Sequence, residues 1–243
     1  MHLLNVAGAS LTTLIRGGLG MSVTTLGSRP QAPLELYEFE GCPFCRKVRE
    51  ALSILDLEAS IRPCPKQGRR FRDELKRIGG KVQLPYLVDR HAGRSLYESD
   101  DIVEHLFREY GAGPPPLGLR RGALSTVGVA LAGIGRGPAG SFARPSRAPQ
   151  QPLELYGFEA SPFCRLVREA LCELELPYQL HNVARGSASR ADFVARSGRM
   201  QVPWLVDPNE GVEMFESAEI LAYLRATYGL SSTASRQATR SAS

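Results

Sequence analysis

The sequence predicts an α/β protein built from two copies of one domain. The 19 residues LELYEFEGCPFCRKVREAL, from Leu34, return at Leu153 as LELYGFEASPFCRLVREAL, with four differences. Two shorter stretches return in the same order. VQLPYLVD becomes MQVPWLVD, and LYESDDIVEHLFREYG becomes MFESAEILAYLRATYG. Within each copy, strand-like alternation gives way to helical spacing and back again. The offset is 119 residues at Leu34 and 118 at Gly111, so one residue is lost in between. A period this long marks a duplicated domain rather than a solenoid.

The elements follow in order along the first copy. LELYEF alternates apolar and polar residues, as a half-buried strand does. The Cys42-Pro43 step suits a helix start with proline in the first turn. Phe44, Val48, Leu52 and Leu55 then fall at helical spacing. EASIRPC reads as a second strand, and RFRDELKRIGG as a polar helix stopped by glycine. LPYLVD and RSLYE are two further short strands. A last helix starts at Ser99 or Asp100 and ends at Gly111. The second copy supports the same order, with Pro203, Glu216 and Gly229 in register.

Charge separates these bodies from their connectors. Residues 1–33, 112–152 and 230–243 hold nine arginines and no acid. The net charge is +5, so residues 34–111 and 153–229 together carry −4. A nucleic-acid groove needs clustered positive charge on a folded face, and this distribution argues against one. A weak attraction of the basic segments to anionic membrane surfaces stays open. Residues 1–33 read as a partly helical leader, and 112–152 as a Pro/Gly/Arg-rich linker with a short apolar helix. Residues 230–243 read as a disordered tail. An acid-poor start rich in Ser and Thr also fits a transit peptide. Similar composition recurs in mid-chain, which favours a leader before each domain. No apolar run approaches the roughly 18 residues of a membrane span.

Five cysteines, with no spacing typical of a secreted framework, point to free thiols and a reducing, cytoplasmic setting. Organellar and membrane-peripheral placements are the alternatives. Cys42 and Cys45 form a Cys-x-x-Cys pair at a predicted helix N-terminus. The helix dipole and its unpaired N–H groups favour a thiolate there. Cys42 is expected to be exposed and nucleophilic, and Cys45 to be buried and resolving. Zinc would need two more ligands. The four histidines are scattered and no second Cys-x-x-Cys exists, so no metal is expected. Cys64 reads as an ordinary loop residue and Cys172 as a core residue.

Three motifs together resemble the thioredoxin superfamily, specifically glutaredoxins and the N-terminal domain of glutathione transferases. They are CPFC after a strand, QLPYLVD with Pro85, and YESDDIVEHL with Glu98 and Ser99. The resemblance covers both copies. It implies two tandem thioredoxin-like domains, each a four-stranded mixed sheet with three helices. It implies a cis peptide before Pro85, with the Leu84 backbone pairing with the cysteine of glutathione. Glu98 and Ser99 are implied to hold the glutamyl end, although alone they would read as a helix cap. Arg46 and Lys47 either draw in the glycyl carboxylate or are plain solvated charges.

The second copy has Ser161 in place of the nucleophile, beside a retained Cys164. Val202, Pro203, Glu216 and Ser217 match the other positions. This copy is either a degenerate scaffold or a glutathione-binding module. The expected function is glutathione-dependent thiol–disulfide exchange by the first copy, acting on protein or small-molecule disulfides. Two alternatives are a transferase-like activity on small electrophiles and a non-catalytic glutathione-binding or membrane-surface protein.

Overall fold

The computed structural model describes residues 2–24, 26–122 and 138–230. The apolar helix expected in the linker falls on residues outside this set, as does the tail from residue 231. Helix α1 spans His2–Ile15 in the leader. The first repeat runs β1 (Leu34–Glu38), α2 (Pro43–Ile54), β2 (Ala59–Pro63), α3 (Arg70–Gly79), β3 (Tyr86–Asp89), β4 (Arg94–Tyr97) and α4 (Ser99–Tyr110). The second runs β5 (Leu153–Gly157), α5 (Pro162–Glu173), β6 (Tyr178–Asn182), α6 (Arg190–Ser197), β7 (Trp204–Asp207), β8 (Val212–Met214) and α7 (Ser217–Tyr228). Helix α3 stops at Gly80, whose φ of 79° suits a residue without a Cβ.

The two repeats are not separate beads. Each contributes four strands to one eight-stranded sheet, in the order β4-β3-β1-β2-β6-β5-β7-β8. The halves join where β2 pairs antiparallel with β6. There Ser60 faces Gln179, its own counterpart in the repeat, so a local two-fold axis passes through that pair. Unpaired, β2 and β6 would be exposed sheet edges; pairing removes both. One hydrophobic core runs under both halves, joining Leu36, Val48 and Leu52 to Leu155, Val167 and Leu171. Two smaller clusters cover the other face, around Phe71 and Tyr86 and around Phe193 and Trp204.

The junction also holds a buried lattice of charge. Its members come from the duplicated eleven-residue stretches: Glu40, Arg46, Arg49 and Glu50 from one copy, and Glu159, Arg165, Arg168 and Glu169 from the other. Arg49 bonds Glu159 of the opposite half at 2.9 Å, and Arg168 bonds Glu40 at 3.0 Å. Each arginine also bonds the acid of its own half, Arg49 to Glu40 at 3.1 Å and Arg168 to Glu159 at 2.9 Å. Arg46 and Arg165 bond Glu50 and Glu169 one helical turn on. Glu38 adds a further bond to Arg49, and Arg16 of the leader reaches Glu50 at 2.6 Å. All ten side chains are buried. Arg46 is thus neither a solvated charge nor free to draw in a ligand.

The segments ahead of each repeat cross first to the opposite half and then return to their own, Thr24 N–H donating to the Ile54 carbonyl and Arg144 N–H to the Glu173 carbonyl. Helix α1 packs on α5 of the second half, and the Thr13 hydroxyl donates to the Ala160 carbonyl at 2.9 Å. The leader then runs beside Arg185, with Val23 N–H donating to its carbonyl at 2.8 Å. The linker mirrors this on the first half. Lys66 N–H donates to the Ser141 carbonyl at 2.7 Å, and Ala143 N–H to the Lys66 carbonyl at 2.9 Å.

Removing one member of the lattice should be costly. Burial alone would raise the Glu159 carboxyl, but Arg168, Arg49 and Arg46 outweigh it and hold the group down at about 2. Its stabilising contribution is therefore complete above the ordinary carboxylate range and is lost as pH falls from about 4.5 towards 2. Glu159→Gln should cost about 3–5 kcal/mol at neutral pH. Urea unfolding of both proteins should show that difference shrinking through the acid window. A difference independent of pH would mean that the charge of Glu159 does not hold the junction.

Candidate active site

Two equivalent sites are built at the N-termini of α2 and α5. Cys42 is the N-cap of α2, and its Sγ accepts from the Cys45 N–H at 3.3 Å. Ser161 caps α5 in the same way, accepting from the Cys164 N–H at 3.3 Å. The shared local sequence explains the match: a cap residue, then proline at the first helical position. Peptide bonds Leu84–Pro85 and Val202–Pro203 are both cis.

Cys42 is only 5% exposed, against the expectation of an open nucleophile. Gly41 N–H, next to it, donates to Gly140 of the linker, so the connector lies against this end of the helix. The thiol still has the electrostatics of a nucleophile. The Cys45 hydrogen bond is the main influence lowering its pKa, and the Cys45 and Phe44 N–H groups add to it. Burial opposes them, and the balance lies below an ordinary thiol. Burial pushes Cys45 well above that range, helped by its bond to Cys42. Burial also raises Cys64, Cys164 and Cys172. Cys64 does lie in the loop just past β2, but it is buried, packing with Tyr37, Phe71 and Tyr86. Cys172 is a core residue whose Sγ accepts from Glu40 N–H at 3.4 Å.

Glu38 and Gly157 distinguish the two sites. Burial lifts the Glu38 carboxyl to about 7 despite Arg49 beside it. In the second half, a Cβ on Gly157 would stand 2.7 Å from Cys164 Sγ, so the thiol already fills that space.

Glu98 and Glu216 occupy the N-cap positions of α4 and α7, with φ of 64° and 65°. Positive φ in a residue other than glycine costs about 1–3 kcal/mol and gathers at functional sites. Gln83 donates to Glu98, and Gln201 to Glu216. Asp89 anchors α4 from below, accepting from Tyr110 at 2.6 Å and meeting His105 at 2.8 Å. A cavity of about 300 Å³ opens between Phe44, Glu98 and Ser99. Lys47 and Arg121 also line it. Lys47 is buried rather than solvated, donating to Asp100 at 2.5 Å and to the Arg120 carbonyl at 3.3 Å. No motif pointed to Arg121, which lies in the linker. Among the described residues, no group of three or more His, Cys, Asp or Glu could hold a metal ion.

Strand order, capped helix and cis-proline turn together define a tandem pair of thioredoxin-like domains. The family model for the glutathione S-transferase N-terminal domain matches residues 36–115 and again 155–232, so the chain belongs to that family and carries its domain twice. Among its relatives are the glutathione S-transferase-like proteins OpS6 of Beauveria bassiana and tpcF of Aspergillus fumigatus. Each is 32% identical over 78 residues, or 32% of this chain. The chain spans about a third of each relative's length, 36% and 34%. A Bombyx mori glutathione transferase structure aligns at 25% identity with a TM-score of 0.32, covering 35% of this chain and 39% of its own. No helix among the described residues is long and apolar enough to cross a membrane.

The thiol environments predict a labelling order. Brief iodoacetamide treatment of the native protein near pH 7 should modify Cys42 first. Cys45, Cys64, Cys164 and Cys172 should react only on unfolding, as peptide mapping by mass spectrometry would show. Early labelling of Cys64 instead would move the reactive thiol away from α2.

Proposed function

We propose that the first half is a glutathione-dependent thiol–disulfide oxidoreductase. The observation that carries this reading is Cys42 at the cap of α2, with its thiol acidity raised by Cys45 and the helix N–H groups. Cys42 thiolate attacks the glutathione sulfur of a mixed disulfide. The old S–S bond breaks, the substrate thiolate leaves and takes up a proton, and Cys42 is left joined to glutathione. A second glutathione thiolate attacks that bond, releasing glutathione disulfide and restoring Cys42. One free glutathione is consumed and supplies the reducing equivalents; the other half of the glutathione disulfide arrives already oxidised in the substrate.

Cys45 could instead displace glutathione to close a Cys42–Cys45 disulfide. Its raised pKa leaves little thiolate for that step, which favours the route through Cys42 alone. Leu84 and Pro85 support the peptide of the bound glutathione, and Glu98 and Ser99 its glutamyl end. The substrates are glutathionylated thiols and small or protein disulfides, and free thiols suit a reducing compartment such as the cytoplasm. Family membership favours a second reading, conjugation of glutathione to small electrophiles.

Glutathione-coupled reduction of a small mixed disulfide, run beside conjugation of an electrophilic aromatic, separates the two. Cys42→Ser should abolish reduction, and Cys45→Ser should retain most of it. Undiminished reduction by Cys42→Ser, or conjugation alone in the native protein, would end the oxidoreductase reading.

A further inference from the structure

The glutamyl end of glutathione carries an ammonium and a carboxylate on one carbon, so its site must supply both signs. This inference rests on the glutathione reading above. In the first half, Glu98 answers the ammonium, but Asp100 and Asp101 stand at the same cavity and would repel the carboxylate. Two cations offset them. Lys47 is held on Asp100. Arg121 is held by Asp101 and, at 3.2 Å, by Glu104. Those contacts use two of a guanidinium's five N–H donors, and its planar fork matches a carboxylate.

Arg121 is not there by accident of a loose chain. The linker turns through a short 3-10 helix, Leu117–Leu119, with Leu119 buried in the common core. Arg16 Nη2 donates to the Gly118 carbonyl at 3.1 Å, and Arg120 Nε to the Pro115 carbonyl at 2.8 Å. The second half keeps Phe163, Glu216 and Ser217 but changes the charged positions around them. Leu166 stands for Lys47, Ala218 for Asp100, and Glu219 for Asp101. An acid remains where the cation is lost.

We propose that Arg121, with Lys47, completes the glutamyl end of the first site, and that the chain therefore holds one glutathione rather than two. Arg121 is a specificity-determining residue contributed by the linker, outside the residues of the family domain. The second half serves as the structural partner of the first.

The test is calorimetric titration of the full chain with S-methylglutathione, which binds without reacting. The expected result is one molecule per chain, with Arg121→Ala weakening binding about three- to tenfold. The control ligand is the analogue whose glutamyl residue is replaced by 4-aminobutyrate, which keeps the amine and lacks the carboxylate. Arg121→Ala should leave its weaker binding unchanged, a double-mutant logic that isolates one contact. Equal affinity of Arg121→Ala and the native protein for S-methylglutathione would overturn the role of Arg121. So would equal weakening towards both ligands. Two molecules per chain would overturn the one-site assignment. No binding by the native protein would instead remove the glutathione reading, and this inference with it.

Discussion

The architecture depends on a charge lattice that water does not reach. Arg49 and Arg168 each bridge an acid of their own half and one of the other, beneath the pairing of β2 with β6. Removing so many charges from water is costly unless each is paired, and breaking one pair leaves its partner stranded. That constraint ties three things together. It links α2 to Glu159 and α5 to Glu40, it lies next to both capped N-termini, and it recruits the leader through Arg16.

Much of the fold was legible because its signals are local. Alternation at Leu34–Glu38, the Cys-Pro and Ser-Pro helix starts and the closing helices could each be read from a few residues. The cis peptides at Pro85 and Pro203 followed from a motif rather than from spacing. The union of the halves was not legible, since nothing in ASIRP or YQLHN says which strand edge will be covered. The charges of Glu40, Arg46, Arg49 and Glu50 were in plain view, repeated as Glu159, Arg165, Arg168 and Glu169. Charges on a helix read alone as a solvated face, because local pattern does not show what lies opposite them. The recurrence of three charges on a helix with an apolar face, behind a fourth just ahead of it, was the available signal that this end of the helix would meet its own copy.

At the site, residue types were legible and exposure was not. Cys42, Glu98 and Ser99 could be placed from their neighbours in sequence. The cover over Cys42 comes from Gly140, about a hundred residues away, and the burial of Lys47 comes from Asp100 and Arg120. Contacts of that range leave no trace in local pattern. The contrast between halves is instructive in the same way. Both retain cap, turn and Gln–Glu pair, whereas Glu38, Cys42 and Lys47 give way to Gly157, Ser161 and Leu166. Scaffold features persist where chemical features do not.

The crossing of the leaders has a consequence for what counts as one folding unit. Helix α1 precedes the first repeat yet lies on the second, and the linker ahead of the second repeat touches the first through Ser141 and Ala143 before Arg144 and Arg147 bond the second. Cutting the chain between repeats would part each body from the segment that covers it. It would also expose β2 or β6 and strand half of the buried charges. A single repeat with its leader could regain all of these contacts only by meeting another like itself across an isologous interface, each lending its arm to the other. The present chain has the form of such an arm-exchanged pair written as one polypeptide. The covalent link lets the two members differ, Cys42 capping one helix and Ser161 the other.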